Sequence, residues 1–135
     1  TDEEKARKEI RRVLSIQPIK FDYLPKGWQF SSYEINQEAG FGILFYTNGE
    51  HWFSVYMKKN SSDNVSYYQF DGQEGVIETL ENSQNIKIEL QKTENENEET
   101  YAMSFQTEEG SYYCNGDVAY EEIKKIAKYL MILDV

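Results

Sequence analysis

The chain has 135 residues, the size of one domain, and carries a formal net charge of −10 at pH 7. Nucleic acids and anionic membrane surfaces attract basic proteins, so this acidic balance argues against both as partners. The one cysteine, Cys114, cannot form a disulfide within the chain, and no apolar run approaches the ~20 residues of a membrane span. We therefore predict no direct membrane insertion within this segment.

The beginning of the chain predicts a helix over residues 2–14. Acidic residues come first and basic residues follow, an order that complements the helix dipole. Its apolar stripe is thin, so the helix is interpreted either as weakly docked or as the end of a linker. We accordingly assign residues 1–18 to an N-terminal helix or linker end and residues 19–135 to a single domain.

The middle of the chain carries the period-two alternation of β-strands. The predicted strand regions are 28–33, 41–46, 51–58, 65–70, 86–90, 101–105 and 111–115. Asn48-Gly49 joins two of them and supplies two residues that tolerate positive φ, which favours a hairpin. Residues 19–21 are predicted to be a short extended piece, 77–80 are ambiguous, and 92–99 are interpreted as a solvated acidic turn.

The end of the chain predicts an amphipathic helix over residues 117–131, with Asp117 as its N-cap. The predicted class is therefore α+β. It has an antiparallel sheet of six or seven strands in hairpins, an N-terminal helix, and the C-terminal helix packed on one sheet face.

Catalytic and metal-binding patterns are scarce in this sequence. One His and one Cys do not make a zinc site, and nothing in the sequence brings His51 and Cys114 together. No phosphate-binding loop or nucleophile elbow occurs. Abundant carboxylates are interpreted as surface charge; the candidates for a glycosidase pair are Glu50, Asp71, Glu74 and Glu78. We predict no catalytic residue, no metal site and no cofactor.

Aromatic residues are the most unusual resource, with 11 Tyr, 7 Phe and 2 Trp. Tyr and Trp are favoured at interfaces and on sugar-stacking platforms. The alternative is that these rings are rungs that stabilise the sheet by cross-strand packing. The predicted binding residues are Trp28, Trp52, Tyr56, Tyr68 and Tyr113.

Four motifs occur in a recognisable order. They are Leu24-Pro25-x-Gly27-Trp28, Tyr46-x-Asn48-Gly49, Gly110-x-Tyr112-Tyr113-x-x-Gly116 and Glu121-Glu122-Ile123-x-x-Ile126-Ala127-x-x-Leu130. Over residues 20–131 this order resembles a bacterial domain-of-unknown-function family at the C-terminus of Gram-positive anti-sigma-factor-like and lipoprotein-like membrane proteins. More distantly, it is similar to the small C-terminal domain of periplasmic regulators that bind an anti-sigma factor.

The resemblance implies a non-catalytic, extracytoplasmic domain for sensing or protein interaction on a bacterial cell surface. Because the chain begins with Thr1, we expect a membrane tether in a missing upstream segment. The alternative is a domain that binds a small ligand, a lipid or a sugar, between the sheet and a helix. The partner is accordingly expected to be a protein or a small ligand of unknown identity.

Overall fold

The computed structural model describes residues 1–60, 73–93 and 100–134. Within them the chain forms two helices, a seven-stranded antiparallel sheet and a two-stranded sheet, which confirms the α+β class. The helices are α1 (Asp2–Leu14) and α2 (Tyr120–Tyr129). The strands are β1 (Ile19–Phe21), β2 (Gln29–Asn36), β3 (Phe41–Thr47), β4 (Trp52–Lys59), β5 (Gln73–Glu81), β6 (Lys87–Thr93), β7 (Thr100–Gln106), β8 (Gly110–Gly116) and β9 (Leu130–Ile132).

The large sheet has the strand order β2-β3-β4-β8-β7-β6-β5. Each half is a meander of neighbouring antiparallel strands, and the halves join where β4 pairs with β8. In that pairing Val55 lies opposite Cys114, and Tyr56 lies opposite Tyr113. Residues far apart in sequence therefore share the centre of the sheet.

One face of this sheet is the helix-covered face, against which α1 and α2 pack. A single row across it joins five fully buried side chains from five adjacent strands: Leu44, Val55, Cys114, Met103 and Leu90. Burying an aliphatic side chain of this size stabilises a fold by about 1.5–3 kcal/mol. This face is the main hydrophobic core.

The polar helix α1 docks firmly on that core. Ala6, Ile10 and Leu14 are buried, because they recur at the spacing that places them on one side of a helix. The Tyr46 hydroxyl donates a hydrogen bond to Glu3 Oε2 at 2.6 Å. Burial first, and then the bond to Glu3, raises the pKa of Tyr46, so its phenol stays protonated as the donor. The helix is thus bound to the sheet by both apolar and polar contacts.

The second helix is shorter than its apolar pattern predicts. It begins at Tyr120 with Ala119 at the cap position, so the predicted N-cap role of Asp117 is wrong. It ends at Tyr129, and residues 130–132 form β9, which pairs with β1. The prediction that the helix reaches residue 131 is therefore also wrong.

A buried asparagine explains where α2 ends. Asn82 Nδ2 donates to the carbonyl oxygens of Ala127 at 3.2 Å and Leu130 at 2.9 Å. Its Oδ1 accepts from the backbone N–H groups of Gln84 and Ile86 at 2.9 and 3.2 Å. Because the side chain satisfies carbonyls at the helix end, the chain can leave the helix there without losing hydrogen bonds.

The hairpin between β3 and β4 is confirmed, with a connection of four residues, 48–51. Gly49 adopts the positive φ of 100° that glycine tolerates, whereas Asn48 acts through its side chain. Asn48 Oδ1 accepts hydrogen bonds from the backbone N–H groups of Glu50 at 2.9 Å and His51 at 2.8 Å. This Asx-type turn lengthens the loop.

The remaining strand predictions have mixed outcomes. The ambiguous region 77–80 belongs to β5, and the extended piece 19–21 is β1. The predicted strand over 65–70 lies outside the described residues. Of the predicted acidic turn over 92–99, residues 92 and 93 belong to β6 and residues 94–99 lie outside the described part of the chain.

Candidate functional site

The candidate site lies on the open face of the large sheet, which we define as the face opposite α1 and α2. Side chains alternate between faces along a strand, so residues two apart share this surface. Those contributed by β3, β4 and β8 are Phe41, Ile43, Phe45, Thr47, Trp52, Ser54, Tyr56, Lys58, Ser111, Tyr113 and Asn115. The open face therefore mixes aromatic and small polar side chains.

A groove crosses the open face at the end nearest the β3–β4 loop. Its volume is about 530 Å³, and it is lined by Ser32, Phe45, Trp52, Ser54, Asn115 and Gly116. We call it the Trp52 groove. Ligand-binding clefts typically measure about 300–1,000 Å³, so the groove has the size of a binding site. Trp52 is 54% exposed and contributes its indole to the lining.

The floor of the Trp52 groove is polar at one point. Ser54 Oγ donates a hydrogen bond to Asn115 Oδ1 at 2.9 Å across the β4–β8 pairing. This bond orients the Asn115 amide, whose nitrogen can donate to a ligand acceptor. An aromatic wall with an oriented amide suits a ligand that has both apolar and hydrogen-bonding groups.

Close backbone packing at Gly116 holds this part of the groove. A Cβ added at Gly116 would lie 2.4 Å from the Trp52 carbonyl oxygen and 2.6 Å from Phe53 Cα. Only glycine permits that approach. The next residue, Asp117, donates its backbone N–H to the same Trp52 carbonyl at 3.2 Å. The backbone that carries the Trp52 indole is therefore held in place.

A hydrogen-bonded histidine and aspartate lie beside Trp52. His51 Nδ1 lies 3.1 Å from Asp117 Oδ2, and His51 Nε2 lies 3.9 Å from Glu50 Oε2. The contact orients the two side chains, and both remain partly exposed next to Trp52. Across the described residues, no three His, Cys, Asp or Glu side chains gather as potential metal ligands.

The predicted site residues fall in three places. Trp52 is in the groove, and Tyr56 lies farther along the same strand face, stacked on Phe41 with ring centroids 5.4 Å apart. Tyr113 lies opposite Tyr56 and is likewise half-buried. Trp28 is on the helix-covered side, with its ring 6.4 Å from the ring of Phe53. The structure thus brings three of these residues to the open face and places Trp28 elsewhere.

The fifth predicted site residue, Tyr68, lies outside the described residues. Sequence reasoning missed the other lining residues of the Trp52 groove, namely Ser32, Phe45, Ser54, Asn115 and Gly116. The alternation along β4 places Ser54 on the face of Trp52, and the hairpin register adds Phe45. Asn115 and Gly116 enter through the β4–β8 pairing, which no local pattern indicates.

The considered Cys–His pair is not formed. Cys114 is buried on the helix-covered face, where burial raises the pKa of its thiol, whereas His51 contacts Asp117 and Glu50. A high thiol pKa disfavours the thiolate that nucleophilic catalysis requires. Cys114 therefore acts as a small core residue.

The candidate carboxylates are separated as well. Glu78 Oε1 accepts a hydrogen bond from the Tyr120 hydroxyl at 2.6 Å and lies 3.2 Å from Lys124 Nζ. These contacts lower the pKa of Glu78 and tie β5 to α2. Glu50 lies in the β3–β4 loop, beside His51 and in the other half of the sheet, and Asp71 lies outside the described residues. The side chain of Glu74 is likewise outside the description.

Comparisons with known proteins give matches to solved structures and to a family model. The crystal structure of MucB in complex with MucA(peri) is 14% identical, with a TM-score of 0.48 over 87% of this chain and 37% of that chain. The complex structure of Pseudomonas aeruginosa MucA/MucB is 14% identical, with a TM-score of 0.46 over 87% of this chain and 35% of that chain. This chain thus spans little more than a third of those solved chains.

No curated protein matches the chain. Among the described residues, the helices have 13 and 10 residues, and neither is a candidate membrane span. A family model matches residues 18–130, which confirms the expected relationship to a domain-of-unknown-function family. The chain belongs to the family described as domain of unknown function DUF4367.

Proposed function

We propose that this chain is a non-catalytic protein-interaction domain whose partner binds on the open face, at the Trp52 groove. The observation that carries this proposal is the Trp52 indole, which is 54% exposed at the wall of a groove of about 530 Å³. Isolated exposed apolar residues are common on proteins and need no explanation. An exposed indole in a concave site that also contains oriented polar groups is typical of a binding site.

The energetics favour burial of Trp52 by a partner. Tryptophan is among the residues most enriched at interface hot spots, where its removal costs about 2 kcal/mol or more. The backbone under Trp52 is held by Gly116 and Asp117, so the backbone need not be ordered when the indole becomes buried. The hydrogen-bonded Ser54–Asn115 pair is likewise oriented before binding.

We further propose that the domain acts outside the cytoplasm, as the sensing or binding part of a membrane-anchored or secreted protein of a Gram-positive bacterium. The motif resemblance supports this placement. The single buried thiol, Cys114, is compatible with an oxidising compartment because it is inaccessible for disulfide exchange. Protease treatment of intact cells that make the full-length protein tests the placement. Cleavage of the domain supports it, and protection until lysis contradicts it.

A peptide library displayed on phage tests the binding surface. We expect selection on the native chain to enrich binders that lose about 10-fold or more affinity for Trp52→Ala, because a hot-spot indole contributes at least ~1.4 kcal/mol. The matched control is Tyr129→Ala, which removes an aromatic ring that is 41% exposed on α2. Enriched peptides that bind the native chain, Trp52→Ala and Tyr129→Ala with equal affinity would contradict binding at the Trp52 groove.

The groove also has the chemistry of a sugar site, since Trp52 offers a stacking surface beside the Asn115 amide. Native mass spectrometry with added oligosaccharides, and of protein purified from cells, separates this alternative from protein binding. A bound sugar or a co-purified lipid that is lost in Trp52→Ala would favour the small-ligand function. Peptide binding without either would favour the protein partner.

A further inference from the structure

We propose that the partner adds a strand to the edge of the sheet at β2, and that this strand carries a basic residue and an aromatic residue two positions apart. This inference rests on the proposed function and specifies the chemistry of the partner. The occupant is an extended, positively charged peptide segment, which pairs with β2 and places its aromatic side chain over the Trp52 groove.

The first observation is the position of β2 in the sheet. Within the described residues it is an outermost strand, eight residues long, that pairs only with β3. An edge strand presents unpaired backbone N–H and C=O groups to an added strand. The pairing is irregular between Phe30 and Ser32, but continues without a break from Ser32 to Asn36. Five consecutive residues therefore form a regular template.

The opposite edge of the sheet offers no such template. The pairing of β5 with β6 shifts register twice, between Gln73 and Val76 and again between Val76 and Glu78. Irregular pairing bends a strand and increases its twist, which hinders the addition of another strand. Of the two edges, β2 is therefore the better acceptor.

The second observation is what lies beside the β2 template on the open face. Ser32 lines the Trp52 groove together with Phe45 and Trp52, so the groove extends to the β2 edge. Glu34, the next residue on that face, lines a neighbouring depression of about 550 Å³ together with Asn36 and Phe41. Two different subsites thus follow one another along the edge.

The spacing of these subsites specifies a short motif. Residues two apart on an added strand are separated by about 6.6 Å and point to the same face. Opposite Ser32 an aromatic side chain reaches the groove, and opposite Glu34 a lysine or arginine pairs with the carboxylate. The other strand pairs of this sheet are antiparallel. An antiparallel guest therefore reads, from its N-terminus, basic residue, any residue, aromatic residue.

The third observation is charge. Glu34 is exposed on β2, and Glu38 and Glu50 are exposed in the loops before and after β3. Lys58, on the open face of β4, is half-buried. The carboxylate of Glu34, which lines the neighbouring depression, attracts a cationic side chain placed opposite it and repels an acidic one. Charge complementarity thus favours a basic guest strand.

Synthetic peptides with the native 135-residue chain test the inference. The probe is a capped peptide, Gly-Ser-Thr-Lys-Val-Tyr-Thr-Ser-Gly, measured by titration calorimetry at low ionic strength. We expect it to bind at least about fivefold more tightly than the reversed order Tyr-Val-Lys in the same frame. We expect Trp52→Ala to weaken it about threefold, because the indole forms part of the groove that the tyrosine ring enters from the β2 edge.

Two further changes test strand pairing and charge separately. N-methylation of the valine, or of both the lysine and the tyrosine, blocks alternate backbone N–H groups. We expect one pattern to abolish binding and the other to leave it within about threefold. The variant Glu34→Lys should weaken the lysine peptide by about fivefold and restore binding to a peptide with glutamate in place of lysine.

The outcomes separate this inference from the function on which it rests. One outcome is a peptide affinity that falls for Trp52→Ala and yet is unchanged by Glu34→Lys, by reversal of the peptide and by either N-methylation pattern. That result overturns strand addition and keeps the Trp52 groove as the binding site. No binding by the Lys-Val-Tyr peptide overturns the motif, and selected peptides that ignore Trp52 overturn both proposals. A dimer of the chain that Glu34→Lys disrupts would assign the edge to a second copy and also overturn the inference.

Discussion

The two faces of the large sheet use the same strands for different purposes. On the helix-covered face, one row runs through fully buried aliphatic and sulfur-containing side chains, from Leu44 to Leu90. The adjacent row on the open face runs through Phe45, Ser54, Asn115, Ala102 and Gln91. The first row supplies stability through burial. In the second row Phe45, Ser54 and Asn115 are partly exposed and line the Trp52 groove, whereas Ala102 and Gln91 are buried. Alternation along each strand allows both in one sheet.

The largest test of this comparison uses neighbouring aliphatic residues of β3. Leu44 is fully buried on the helix-covered face, and Ile43 is half-buried on the open face. We expect Leu44→Ala to lower the free energy of unfolding by about 2–5 kcal/mol, through lost burial and a residual cavity. Ile43→Ala should cost about 1 kcal/mol. Urea denaturation measures both, and equal losses would remove the distinction between the faces.

The next test compares buried amides. Asn82 has four hydrogen bonds to backbone groups, so Asn82→Ala leaves buried carbonyls unpaired and should cost about 2–3 kcal/mol. Gln91 is 3% exposed on the open face, and its Nε2 has no hydrogen-bond partner within the described residues. Gln91→Met should therefore be neutral or stabilise the fold by about 1 kcal/mol. Thermal unfolding of both variants measures these changes. A loss of stability for Gln91→Met as large as that for Asn82→Ala would contradict the difference between the two amides.

The two tryptophans give a third, smaller test. Trp28 packs edge-to-face on the buried ring of Phe53, so Trp28→Ala should cost about 1–3 kcal/mol of stability. Trp52→Ala should cost about 0.5 kcal/mol or less, because the indole is largely exposed. Chemical denaturation checks both changes. If Trp52→Ala were the more destabilising, its ring would have a structural role that the geometry does not explain.

The smallest expected effect is a pH dependence at the far edge of the sheet. The Tyr120 hydrogen bond, followed by Lys124, lowers the pKa of Glu78 from an ordinary value of 4.5. Because the pKa of Glu78 is lower in the folded than in the unfolded state, its ionised form stabilises the fold at pH values above the unfolded-state pKa. This stabilisation is lost as the pH falls through the folded-state pKa. The difference in Tm between the native chain and Glu78→Gln should be present at pH 7 and vanish well below pH 4.5. A difference that is constant with pH would contradict this account.

Local patterns predicted the parts of the fold whose contacts are local. The bounds of α1 follow from charge order and helical spacing, and the β3–β4 hairpin follows from alternation around Asn48-Gly49. Leu130 and Met131 also continue a helical spacing, yet they form β9. Their conformation depends on Asn82 and on pairing with β1, and both are distant in sequence.

The candidate site was predictable only in part, for the same reason. Trp52 is identifiable from its residue type and its strand, and Ser54 follows by alternation. Asn115 and Gly116 join the groove because β4 pairs with β8, more than 50 residues away. Trp28 is an equally good candidate by residue type, but packing on Phe53 uses it in the core. Residue type indicates binding capacity, and the pairing of distant strands decides which residues share a surface.

The indole N–H signals of Trp28 and Trp52 test most directly the central claim that recognition occurs on the open face. In ¹⁵N NMR spectra the two tryptophans give separate signals, which the variants Trp28→Phe and Trp52→Phe assign. On addition of the tightest peptide selected from the displayed library, we predict that the Trp52 signal shifts while the Trp28 signal stays in place. A shift confined to Trp28, or saturating binding that moves neither signal, would contradict the account.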